Sequence, residues 1–205
     1  MKLVEPTNPI LNIAADAVEL SEIGSLEVQS TIDQMLAMSA GKGHSKDDSR
    51  QMVGLATVQL GVNKQIITID LTADGTNKNQ TLQVVINPEI TSHSDESEQG
   101  REGWWSCGNI CGIVERANKV TLEGLDRDGK KLSLQLEGFV ARIAQHEVDH
   151  LQGIRFPERI PADKPQWLHW VEPQEFESYR VAWKHWPTLC PRSRWELMKS
   201  GKEYR

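Results

Sequence analysis

Apolar residues Val140, Ile143, Ala144, Val148 and Leu151 fall in one arc when residues 138–152 are set at about 100° per residue, which predicts an amphipathic helix. Arg142, Gln145, Asp149 and Gln152 fall on the opposite side, which is expected to face water. Glu147 lies inside the apolar arc, with His150 on its flank. A carboxylate aimed at a core is costly unless it is paired or chemically employed.

The same periodicity predicts an earlier helix. Val28, Ile32, Met35 and Leu36 share a face, Ser25 can cap its start, and Gly41 or Gly43 ends it. Gln65–Asp70 reads as a strand, and Leu82–Ile86 as another that stops at Asn87-Pro88, with an Asp74-Gly75 turn between them. Val120 and Leu122 alternate with polar residues, as do Leu132, Leu134 and Leu136. Asp128-Gly129 between them predicts a hairpin. Residues 42–50 and 91–100 are polar and are expected to be loops. A helix, several strands and a further helix make an α+β pattern. The expected architecture is antiparallel or mixed sheets packed around the 138–152 helix, with the earlier helix at the N-terminal side.

Residues 161–205 differ in character. Pro161, Pro165, Pro173, Pro187 and Pro191 interrupt them, and they hold five of the seven tryptophans: Trp167, Trp170, Trp183, Trp186 and Trp195. We therefore expect a main domain over 1–160 and an extension over 161–205 whose aromatic faces pack back on it.

Composition narrows the function classes. The 205 residues, 38% hydrophobic and 25% charged, are those of an ordinary globular chain. A net charge of −6 argues against nucleic acid as the main partner. No apolar run approaches the roughly 18 residues of a membrane span. Three cysteines suggest no disulfide framework, and the N-terminus lacks the apolar core of a signal peptide, so the cytoplasm is the expected location.

The candidate chemistry centres on His146-Glu147-Val148-Asp149-His150, an H-E-x-x-H pattern. On a helix, residues four apart share a face, so His146 and His150 can hold one metal ion, with Glu147 beside it to activate water. Gly54 and Ala56 permit close approach of backbone or ligand, and Gln59 can donate and accept hydrogen bonds.

Three segments together carry a family resemblance. Gly54-Leu55-Ala56-Thr57-Val58-Gln59 resembles the G-L-A-A-x-Q motif of peptide deformylases. Glu102-Gly103-Trp104-Trp105-Ser106 resembles their E-G-C-x-S motif. Gln145–His150 resembles their Q-H-E-x-D-H motif. Order and spacing agree over roughly residues 5–160. The resemblance implies removal of the formyl group from N-formylmethionyl nascent peptides, with transient association at the ribosome. It implies a divalent metal, Fe²⁺ or Zn²⁺ with Ni²⁺ as a further option, on His146 and His150. Glu147 would be the general acid and base, and the Gln59 amide and the Trp105 N–H would support the oxyanion. Gly54, Leu55, Glu102 and Gly103 would line the substrate.

The chain departs from the family at one ligand. Trp104 stands where the family has its cysteine, and indole nitrogen donates rather than ligates. Met52 and Thr57 replace smaller residues and would narrow the substrate pocket. Several outcomes stay open: Cys107 or Cys111 as third ligand, two histidines completed by water, a closed site of two cysteines and two histidines, or an empty one. The alternative to an enzyme is an impaired relative that binds peptides or proteins. Hydrolysis of another small formyl compound is a third reading.

Overall fold

The computed structural model describes residues 1–42, 51–74, 80–103 and 105–202, with only the backbone of Trp105. In chain order its main elements are α1 (Leu26–Ser39), β1 (Gly54–Ala56), β2 (Ile66–Asp70), β3 (Leu82–His93), β4 (Ser97–Gly103), β5 (Ile110–Ala117), β6 (Lys119–Leu125), β7 (Lys131–Glu137), α2 (Gly138–Leu151), β8 (Leu168–Trp170), α3 (Phe176–Ala182) and α4 (Arg192–Lys199). The strands form two antiparallel sheets, one ordered β1-β2-β3-β6-β7 and the other β4-β5-β8. This is an α+β architecture.

The local chemistry explains these elements. Ser25 accepts a hydrogen bond from the Val28 N–H and caps α1. Gly41, at φ 72°, takes the left-handed conformation just past the helix end. Asp126 and Gly129 close the β6–β7 turn, where Gly129 has φ 79°.

Helix α2 builds the core. Ala141, Ile143, Ala144, Val148 and Leu151 pack with Ile67 and Ile69 of β2, Val85 of β3, Val120 and Leu122 of β6, and Leu136 of β7. Of the far side that its polarity suggested would be wet, Gln152 is exposed, but the rest is covered. Arg142 and Asp149 are buried against β4 and β5, and Gln145 bonds the N–H and C=O of Ala117. Partners of opposite charge on the second sheet make that burial possible.

Two other expectations change. β3 continues through Asn87-Pro88 to His93. Asn87, at φ 50°, absorbs a register shift between Ile86 and Glu89, and its side chain bonds both backbone groups of Val18. Residues 91–100 are not a loop but mostly strand: the end of β3 pairs with β6, and the start of β4 pairs with β5. Most of the turn at Gly75, the Gly43 alternative and residues 43–50 lie outside the described residues.

The C-terminal segment adds β8 to the second sheet beside β5. Trp195 and Met198 of α4 join Cys107, Ile110, Val114, Phe156 and Ile160 in one apolar cluster. Tyr179 of α3 packs with Cys111 and Val171, flanked by Trp183 and Trp186. Among the described residues no helix is long and apolar enough to cross a membrane.

Candidate active site

Positions 146 and 150 of α2 bring their rings together, with Nε2 atoms 3.1 Å apart. The Nδ1–H of His146 donates to Glu102 Oε2 at 2.9 Å, which fixes that ring and leaves its Nε2 for the opposite contact. Burial and the neighbouring His146 hold the His150 imidazole well below the usual histidine range, so it is neutral at pH 7. Neutral imidazole is the form that ligates a cation.

Glu102 is the hub behind this pair. Arg116 donates to both of its oxygens at 2.9 and 2.8 Å, and Arg142 to Oε1 at 2.9 Å. Arg116 also reaches Asp149, which is shared with Arg159. Burial alone would raise the Glu102 carboxyl, but Arg116 outweighs it and holds the group well below the carboxylate range. The resemblance placed Glu102 among substrate contacts. The structure puts it behind His146, because arginines and imidazole already occupy both oxygens. Burial lowers His146, and its bond to Glu102 outweighs that and raises it.

Glu147 is built differently. It is 4% exposed, and among the described residues its Oε2 has no hydrogen-bond partner. A Cβ added at Gly54 would stand 2.4 Å from its Oε1, so only glycine leaves room for the carboxylate there. Burial pushes the Glu147 pKa up to about 7. A carboxyl tuned to that value can take and return a proton near neutrality.

The remaining predicted residues divide. Gln59 lies in the short turn Thr57–Leu60 directly after β1, against which α2 packs. Its Oε1 accepts the Ala56 N–H at 2.8 Å, leaving the amide NH₂ as its donor end. Leu55 is fully buried in the cluster between α1 and the first sheet, so its side chain serves the core. Gly103 ends β4, opposite Cys111 of β5. Trp104 lies outside the described residues, and Trp105 opens the short turn Trp105–Cys107.

Cys107 is not brought to the histidines. Its thiol sits in the apolar cluster with Phe156 and Trp195, and burial pushes its pKa up to about 12. Cys111 is likewise buried, in the cluster with Tyr179, and is pushed up to about 12. Among the described residues no three His, Cys, Asp or Glu side chains converge on a common point, so a closed site of two cysteines and two histidines does not form. Among the described residues Ser106 is also close, with its Oγ 3.5 Å from His150 Nε2.

Sequence reasoning missed the supporting shell of Arg142, Asp149 and Arg155. Residues 142, 145 and 149 form a stripe spaced three and four apart, the signal of a second packed helix face.

Two imidazoles facing each other and a buried carboxylate on the same helix are the core of an H-E-x-x-H metallohydrolase centre. The polypeptide deformylase family profile matches residues 1–166. The peptide deformylase of Shouchella clausii is 33% identical over 164 residues, which cover 77% of this chain and 88% of the relative. That of Halothermothrix orenii is 44% identical over 108 residues, and the match spans 53% of this chain and 66% of the relative's length. A class I type b peptide deformylase from Acinetobacter baumannii, solved with Met-Ala-Ser bound, superposes with a TM-score of 0.67. It is 33% identical over 78% of this chain and 98% of that one. The chain belongs to the peptide deformylase family.

The family implies a divalent metal. The residues present fit one in part. Nitrogens 3.1 Å apart are spaced as two ligands at about 2.0–2.1 Å from a shared ion, and Glu102 supplies the outer hydrogen bond such ligands use.

Proposed function

We propose that this chain hydrolyses the N-formyl group of N-formylmethionyl peptides. The observation that carries this reading is Glu147: buried, unpaired at Oε2 among the described residues, raised to about 7, and carried on the helix that brings the Nε2 atoms of His146 and His150 together.

His146 and His150 would hold the metal, Fe²⁺ or Zn²⁺, with Glu102 fixing the first imidazole. When bound, such an ion polarises a formyl oxygen and lowers the pKa of water. Glu147 takes a proton from the attacking water as its oxygen adds to the formyl carbon. The same group returns that proton to the nitrogen as the C–N bond breaks, leaving formate and a free amine. The Gln59 amide and the Trp105 N–H donate to the oxyanion.

Strands β1 and β4 each lie at one edge of their sheet, and α2 packs against β1. An extended peptide can add to such an edge through its backbone. The Acinetobacter structure with Met-Ala-Ser bound supports a peptide occupant. Substrates of this kind arise at the ribosome, where we place a transient encounter.

The test is formate release from formyl-Met-Ala-Ser by metal-loaded protein, compared with Glu147→Gln. Turnover abolished by the variant supports the reading; wild-type protein without turnover rejects it. One observation favours a second reading, a peptide-binding relative: no third ligand joins the histidines among the described residues. Tight binding of the formyl peptide with no formate would establish that alternative.

A further inference from the structure

The family match ends at residue 166, which leaves α3 and α4 without an assigned task. Arg155, five residues beyond His150, ties α4 to the site. Its side chain is fully buried. Nη1 donates to the carbonyls of Pro6 at 2.7 Å and Ser106 at 2.8 Å, and Nη2 donates to Asn12 Oδ1 at 2.7 Å. The guanidinium carbon lies 4.3 Å from the centre of the buried Trp195 ring. Asn12 in turn donates to the Lys199 carbonyl at the end of α4.

The joint is expensive. Among the described residues, the Nε of Arg155 and the Nε1 of Trp195 are both buried without partners. Each such donor costs about 1–3 kcal/mol. Among the described residues no carboxylate pairs with the guanidinium. An apolar side chain stacked on Trp195 would seal the same space without that cost. What the guanidinium adds is direction, since its planar fork fixes several acceptors at once.

One of those acceptors belongs to Ser106, whose hydroxyl is 3.5 Å from His150 Nε2. The next residues touch α4 too. Cys107 shares a cluster with Trp195 and Met198, and Met198 Cε lies 3.3 Å from where a Cβ on Gly108 would stand. We infer that α4, acting through Trp195 and Arg155, positions the Ser106–Gly108 segment against the histidine pair. Arg155 and Trp195 are then positioning residues of the centre, and the part of the chain beyond the family match helps to shape it. The turnover arm of the test rests on the deformylase reading; the other two arms do not.

The full chain is compared with Trp195→Leu, Trp195→Phe and Arg155→Lys. Three quantities are measured: amide hydrogen exchange over residues 106–110, Zn²⁺ affinity by chelator competition, and kcat and KM on formyl-Met-Ala-Ser. Trp195→Leu and Arg155→Lys should raise exchange over 106–110 while β6 and β7 keep theirs. Zn²⁺ affinity should fall about 10–100-fold, as for other supporting contacts. kcat should fall by up to about 10²-fold with KM nearly unchanged. Trp195→Phe should restore most of each loss. Val181→Ala, on the exposed side of α3, should change nothing, and a matching loss there would overturn the inference. Folded Trp195→Leu and Arg155→Lys proteins with wild-type exchange and Zn²⁺ affinity would overturn it as well. So would failure of both to fold, which marks a purely structural joint. Wild-type protein without formate release sinks the deformylase reading alone, because exchange and Zn²⁺ affinity still decide this one.

Discussion

The two sides of α2 bury charge in opposite ways. Toward β4 and β5, Glu102, Arg116, Arg142, Asp149 and His146 form a closed network in which each charged group meets a partner. Toward β1, Glu147 is equally hidden, yet among the described residues one of its oxygens has no partner. The first arrangement turns desolvated charge into fixed geometry. The second leaves a carboxyl with a proton to exchange. The difference separates the groups that hold the histidine pair in place from the one proposed to exchange a proton with substrate.

The largest expected effect tests the open side. Glu147→Gln should lower turnover by about 10²–10⁴-fold or more, measured as formate release. The same change should stabilise metal-free protein. Burial raises the folded-state pKa of Glu147 to about 7, above its value in the unfolded chain. The unfolded chain therefore loses its proton first, and native stability falls as pH rises from about 4.5 to 7. At pH 7 the variant should gain on the order of 1–3 kcal/mol in urea unfolding, with no difference near pH 4. Lost stability at both pH values would place Glu147 in a closed network after all.

The closed side should respond in the reverse sense. Glu102→Gln leaves Arg116 and Arg142 short of compensating charge and should cost about 3–5 kcal/mol. Zn²⁺ affinity should fall about 10–100-fold through His146. Glu102 titrates below its unfolded value. Its stabilisation is therefore complete above the unfolded pKa and is lost as pH falls through the folded one. Urea unfolding from pH 7 downward, wild type against variant, should show the gap closing only on the acid side.

Two glycines separate the sides sterically. A Cβ at Gly54 would meet Glu147 Oε1 at 2.4 Å, and one at Gly100 would meet the Arg142 guanidinium at 2.5 Å. Each alanine substitution should cost about 1–3 kcal/mol of overpacking. Gly54→Ala should also depress kcat at saturating Zn²⁺. Gly100→Ala should act mainly on the unfolding midpoint. Equal effects of both on kcat would erase the distinction.

The open side was legible in the sequence and the closed side was not. Glu147 fell in an apolar arc, where a carboxylate is conspicuous. Arg142 and Asp149 fell in a polar arc, and polarity along a helix does not say whether the covering group is water or an arginine on another strand. Their partners come from residues 102 and 116, which only the tertiary fold brings near. Local rules located α1 and the Asp128-Gly129 hairpin because caps and turns are short-range. They stopped β3 too early, because Pro88 reads as a strand end unless Asn87 is known to take a left-handed φ. The strand residues within 91–100 are exposed along most of their length, so no alternation marked them. Trp195 was legible as buried aromatic mass, but its guanidinium partner was not, since nothing local marks Arg155 as enclosed.

The smallest expected effect sets the baseline for all charge changes. Lys119 and Glu137 face each other across β6 and β7, with their charged groups 3.1 Å apart and side chains 58% and 64% exposed. Water solvates both ends whether or not they meet, and holding two long side chains together costs entropy. Lys119→Ala should therefore change stability by no more than about 0.2–1 kcal/mol. Salt sharpens the contrast. At 1 M the screening length is about 3 Å, so the small contribution of this pair should vanish. The loss caused by Glu102→Gln should persist at the same salt, because ions do not enter the space between Glu102, Arg116 and Arg142. Urea unfolding of both variants at about 0.1 M and 1 M NaCl measures this. Equal salt sensitivity would mean that water reaches the network behind His146, and its role as a rigid support for that imidazole would fall with it.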